Sequence, residues 1–146
     1  INVGKDVYYD LGRVKFLIQN LKQSSEVVPD KFAELTFLGS KGPLLPNLEY
    51  DWLDKYKADY SSEIIDVLLY FSKKLDLQKD IKLIIQIADS LFINDPLNED
   101  ALRLKCKILN DDGKHSLAKN IYESFAREYF NSMGTKFERS FSDIVN

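Results

Sequence analysis

Asp95-Pro96-Leu97-Asn98-Glu99-Asp100-Ala101-Leu102-Arg103 joins two hydrophobic helical segments. Pro96 suits a turn or a first helical turn, where its missing N–H costs little, and Asn98 with the acids after it stabilises a helix start. Before the joint, Ile81, Ile84, Ile85, Ile87, Ala88 and Leu91 recur at helical spacing. After it, Ala101, Leu102, Leu104, Cys106, Ile108 and Leu109 do the same up to the turn Asp111-Asp112-Gly113.

The pattern repeats at a step of 34 residues, pairing Leu68 with Leu102, Leu75 with Leu109, Ile84 with Ala118, Ala88 with Tyr122 and Leu91 with Phe125. Small residues let paired helices approach, and large ones fill the gap between stacked pairs. The second unit places Cys106, Ala118 and Tyr122 where a tetratricopeptide repeat has a small residue, an alanine and an aromatic. The first unit inverts the size order, with Ile84 and Ala88. The predicted fold is all-α, with tetratricopeptide-like right-handed helical repeats near 65–98 and 99–132, an N-terminal helical extension and a short C-terminal capping helix. An unrelated helical bundle is the alternative.

Working outward, Val7, Leu11, Val14, Leu17, Ile18 and Leu21 predict a helix to about Lys22, and residues 1–6 read as a linker or the end of a preceding domain. A break over Ser24 to Pro29 leads to a short helix opened by Asp30 and containing Phe32, Ala33, Leu35 and Phe37. The connection Gly39 to Asn47 is rich in glycine and proline, yet Leu44 and Leu45 predict that it is pinned to the core. A long helix from near Tyr50 to about Leu75 carries Trp52, Leu53, Tyr56, Tyr60, Ile64, Val67, Leu68 and Phe71 as one apolar stripe, with Trp52 expected in the core and self-association as the competing role. Lys114 opens the helix that Gly134 ends, and Phe137, Phe141, Ile144 and Val145 predict the closing one.

The 146 residues form one domain over 7–146, large enough to bury on the order of two-thirds of the extended chain's surface. Twenty basic against 23 acidic residues leave a net charge of -3, which gives no global attraction to phosphate, so direct nucleic-acid binding is not expected. The lone Cys106 forms no internal disulfide, which fits a reduced, cytoplasmic compartment. No apolar run approaches the roughly 20 residues of a membrane helix. The opening Ile1-Asn2-Val3-Gly4, without Met or a leader pattern, reads as a piece of a longer polypeptide.

Three stretches together are similar to a known family: Gly42-Pro43-Leu44-Leu45-Pro46 followed by Tyr50-Asp51-Trp52; Asp95 and Pro96 through Glu99 to Ala101; and Gly113 with Ala118, Tyr122 and Gly134. In them the chain, from about Val7 onward, resembles the bacterial transcriptional activation domain of regulators of the streptomycete antibiotic regulatory protein type. The resemblance implies an interaction and signalling module that orients or restrains an attached winged-helix DNA-binding domain outside this sequence. It also implies a homodimer or a contact with transcription machinery. The alternative function is a general tetratricopeptide-like protein-binding scaffold unrelated to transcription.

No catalytic, cofactor-binding or metal-ligating constellation emerges. Cys106 and His115 lack further ligands for a structural zinc site, and a Cys–His nucleophile is outweighed by a core cysteine beside a helix-start histidine. Asp95, Glu99, Asp100, Asp111 and Asp112 read as caps and solvated charge, without the ligand order of a calcium loop. Tyr122 and Phe125 read as repeat core, not a base-stacking platform. The first helix of each unit nominates Leu69, Lys73, Asp100, Arg103, Lys107 and Asn110 as an inner groove for a peptide or neighbouring domain, with plain polar surface as the competing reading.

Overall fold

The apolar spacing of the chain closes into helices at every predicted segment of the computed structural model, which describes residues 3–24, 28–45 and 47–146, with residues 3–10 as backbone only. Seven helices run in order among these residues: α1 (Val3–Gln23), α2 (Pro29–Gly39), α3 (Asp51–Ser72), α4 (Ile81–Asn94), α5 (Glu99–Asp111), α6 (His115–Met133) and α7 (Phe141–Val145). The fold is all-α and has the character of a helical repeat: α1 packs on α2 and α3, α2 and α3 on α4, α4 on α5, and α5 on both α6 and α7. Helix α1 begins at Val3, so residues 3–6, read as linker, are its first turn. Helix α3 begins at Asp51, next to the start expected near Tyr50.

Each boundary has a local cause. Pro29 occupies the first turn of α2, and the fixed φ of proline is already helical there. At the organising joint, the Asn98 side chain accepts a hydrogen bond from the Ala101 N–H at 2.9 Å, and Asp95 Oδ1 accepts one from the Leu97 N–H at 3.1 Å. Pro96 lies in the turn between them, not in the helix. Gly113 and Gly134 adopt φ of 75° and 70°, the left-handed conformation that reverses the chain after α5 and α6. Ser140 and Asp143 form a reciprocal capping box that starts α7.

Two hydrophobic clusters make up the interior. Val14, Leu17, Leu21, Phe32, Leu35, Ile64, Leu68, Phe71, Ile87 and Leu91 bind α1 through α4. Ile84, Leu102, Cys106, Leu109, Ala118, Phe125, Phe137 and Ile144 bind α4 through α7. Leu75, Phe92 and Leu104 touch both, so α4 and its flanks weld the two halves. All ten residues paired by the 34-residue step are buried or half-buried. Arg13 grips Glu34 with two hydrogen bonds of 2.6 and 2.7 Å, tying α1 to α2. Lys105 reaches Asp89 at 2.5 Å, tying α5 to α4.

The connection after α2 is held as expected: Gly42 is buried, Leu44 and Leu45 are half-buried, and Asn94 Nδ2 donates to the Gly39 carbonyl at 2.9 Å. Pro46 of the family-like motif lies outside the described residues. Gly39 is required by packing, since a Cβ there would stand 2.7 Å from Ser90 Oγ and 3.2 Å from Ile64 Cγ2.

Trp52 departs from expectation. It is 67% exposed, and its neighbour Leu53 fills the core position instead. Trp52 lies about 100° around the helix from Leu53, so only one of the two can face inward. Phe37 is likewise exposed while Leu35 and Leu38, on either side, are buried.

Candidate protein-interaction surface

The nominated inner groove does not form one open channel. Leu69 is half-buried against the first core cluster, and Lys73 is exposed at the end of α3. On α5, Lys107 Nζ donates to the Asn146 carbonyl at 3.4 Å, and Asn110 Oδ1 meets His115 Nδ1 at 2.8 Å. Glu99, one residue before Asp100, pairs with Arg139 at 3.5 Å. The C-terminal segment thus touches α5 at Glu99 and Lys107, while α7 packs against α5 with Ile144 in the second core cluster. Asp100 and Arg103 remain exposed.

The reactive side chains are kept apart. Cys106 is buried and its thiol donates to the Ala118 carbonyl at 3.4 Å, whereas His115 engages Asn110. Burial pushes the Cys106 thiol up to about 11, against the opposing pull of Lys105, so it carries almost no thiolate at neutral pH. Among the described residues, no group of three His, Cys, Asp or Glu side chains could hold a metal ion. Asp112 pairs with Lys114 at 2.6 Å, and the Asp76 carboxylate, accepting from the Gln78 and Lys79 N–H groups, is held below its usual range. Tyr122 and Phe125 belong to an aromatic cluster: Phe125 meets Phe137 at 5.1 Å and Tyr122 meets Phe141 at 5.7 Å. The Tyr122 hydroxyl donates to the Arg139 carbonyl at 2.6 Å, fastening the segment before α7.

The conspicuous surface lies on α3. Tyr50, Trp52 and Tyr56 are 55%, 67% and 59% exposed. They contact one another: Tyr50 stacks on Trp52 with centroids 6.2 Å apart, and Tyr56 meets Trp52 edge-on at 6.3 Å. Further along the helix Tyr70 is also exposed, with Lys74 Nζ 4.5 Å above its ring. Beside it Lys22, Asp66, Val67, Tyr70 and Phe71 line a cleft of about 300 Å³ where α1 meets α3. A second cleft of about 400 Å³, between α2 and α4, has the exposed Phe37 at its rim. Trp52 and Tyr56 sit one position from the core phase of the same helix, and the charges at Asp59 and Glu63, in phase with Trp52, are the signal in the sequence that marks this face as solvent-facing.

The chain matches no family model, no curated protein and no solved structure. That result overturns the assignment to transcription regulation and signal transduction, together with membership of the bacterial transcriptional activation domain and tetratricopeptide families. Gly42, Pro43, Leu44, Trp52, Asp95, Pro96, Gly113 and Gly134 are explained as turns, caps and surface of this fold, and such features arise wherever helices need the same joints. What stands is an all-α domain of seven helices among the described residues, consistent with a helical-repeat-like fold. Among the described residues no helix is long and apolar enough to cross a membrane.

Proposed function

We propose that this chain is a noncatalytic protein-binding scaffold: stacked helical hairpins that present a fixed surface to another polypeptide, with no tie to transcription. The observation that carries the reading is the contiguous exposed aromatic group of Tyr50, at the N-cap of α3, with Trp52 and Tyr56 on a face of that helix about 100° from the face anchored by Leu53, Ile64, Val67, Leu68 and Phe71. Large aromatic side chains exposed together are costly in water and are the usual anchors of protein interfaces. A scaffold whose two cores share α4 holds such anchors in place, so little ordering is needed on binding.

The burial and high thiol pKa of Cys106, with its separation from His115, favour this reading over an enzyme. The test is selection of peptides from a displayed random library on the folded chain, with the heat-unfolded chain as counter-selection. Enrichment of peptides that bind the folded form saturably and compete with one another supports a defined docking face. Absence of enrichment over the unfolded control contradicts it.

A further inference from the structure

The solvent face of α3 carries a pattern that the aromatic group alone does not exhaust. Trp52, Tyr56, Asp59, Glu63, Asp66 and Tyr70 follow one another at spacings of 4, 3, 4, 3 and 4 residues, and all six are exposed. That sequence of steps keeps them on a single stripe, spanning about 27 Å at 1.5 Å per residue. Its two ends are aromatic and its middle is acidic. Among the described residues, Asp59, Glu63 and Asp66 have no ion-pair or side-chain hydrogen-bond partner. Tyr70 closes the far end over the cleft shared with α1.

We infer that this stripe docks a basic amphipathic helix of a partner protein, whose Lys or Arg side chains meet Asp59, Glu63 and Asp66 while its apolar residues cover Trp52 and Tyr56 at one end and Tyr70 at the other. The inference rests on the scaffold reading and adds the chemistry of the partner. Helix-in-groove recognition reads anchors at such three- and four-residue steps, and their recurrence every seven residues is the spacing that two helices can follow side by side. Charge chooses among occupants. Three unpaired carboxylates repel nucleic-acid phosphates and anionic lipid, and they favour a cationic segment. A second copy of the same stripe is disfavoured as well, because a symmetric antiparallel pairing sets Glu63 against Glu63 and Asp59 against Asp66. Lys22, in the cleft beside Asp66 and Tyr70, and Lys74 over Tyr70 both lie at the Tyr70 end, so the partner's cations belong on the Trp52 side of them, against Asp59 and Glu63 first.

Trp52 is the only tryptophan of the chain and lies in the stripe, so its emission reports occupancy directly. The chain is titrated with a helical Leu/Lys peptide of about 20 residues, matched in length to the stripe, and with the same peptide carrying Glu for Lys. The Leu/Lys peptide is expected to give a saturable blue shift, and the Glu peptide none. Raising the salt weakens the binding. The triple variant Asp59→Asn, Glu63→Gln, Asp66→Asn, its helicity checked by circular dichroism, weakens it on the order of tenfold. Equal binding by the triple variant, equal binding of the Glu peptide, or saturation without a change in Trp52 emission overturns the inference. If library-selected peptides bind while Trp52 and the three acids are indifferent to them, only this placement fails; if neither those peptides nor the Leu/Lys peptide binds, the scaffold reading fails with it.

Discussion

Replacing Gly39 by alanine tests a close non-local approach, that of the end of α2 to α4. Gly39 is the last residue of α2, and an added methyl would lie 2.7 Å from Ser90 Oγ and 3.2 Å from Ile64 Cγ2. Ser90 is fully buried on α4, and its hydroxyl has no hydrogen-bond partner among the described residues. Alanine gains about 1 kcal/mol over glycine in a helix, but overpacking a filled site costs about 1–3 kcal/mol. Gly39→Ala is therefore expected to destabilise the chain by about 1 kcal/mol, or about 3 °C in Tm for a domain of this size. Ser90→Ala removes a buried, unbonded hydroxyl, whose burial costs about 1–3 kcal/mol, so it stabilises by about 1 kcal/mol after its small packing loss. In the double variant the contact with Oγ is gone while the helix-propensity gain remains. Adding Gly39→Ala to the Ser90→Ala background should thus be neutral or stabilising, a coupling of about 1–2 kcal/mol. Urea unfolding of the four proteins at constant m-value measures it. A Gly39→Ala cost that is unchanged by Ser90→Ala refutes the close approach of α2 and α4.

Substitutions at four other positions probe separate parts of the molecule. Trp52→Ala should change unfolding free energy by less than about 0.5 kcal/mol, as for an ordinary surface site, while Leu53→Ala next to it should cost about 2–5 kcal/mol in the same urea assay. Asn98→Ala removes the side-chain cap of α5 and should cost about 1 kcal/mol, largely restored by Asn98→Ser or Asn98→Asp. The Cys106 thiol keeps its proton to about 11 in the folded chain, against 9.0 in the absence of burial. The folded state thus binds more protons than the unfolded one between these values, so the contribution is complete below pH 9 and fades as pH rises through 11. Equilibrium unfolding as a function of pH should show this decline, and Cys106→Ala should flatten it.

The helical class was legible because the 34-residue step carries physical content. Each of its five residue pairs needs burial, and each receives it in the interior. The caps were legible too, since Asn98 and Gly134 act through bonds to residues three or four positions away. The face of α3 was misread although its signal was present. Counting 7 and 11 residues on from Leu53 reaches Tyr60 and Ile64, while the same counts from Trp52 reach Asp59 and Glu63. The charges at those positions identify the Trp52 phase as solvent-facing, a distinction lost when adjacent apolar residues were merged into one stripe. On α5 the non-local part was not legible: Lys107 meets Asn146, more than 30 residues away, and no local spacing encodes that return. The contact of Gly39 with Ser90 is equally non-local.

Amide chemical-shift mapping of the isotope-labelled chain against the Leu/Lys peptide locates the docking face residue by residue. The largest shifts are expected along Trp52, Tyr56, Asp59, Glu63, Asp66 and Tyr70, with Asp100 and Arg103 on α5 nearly unmoved. Shifts centred on α5, or spread evenly over the chain, would contradict it.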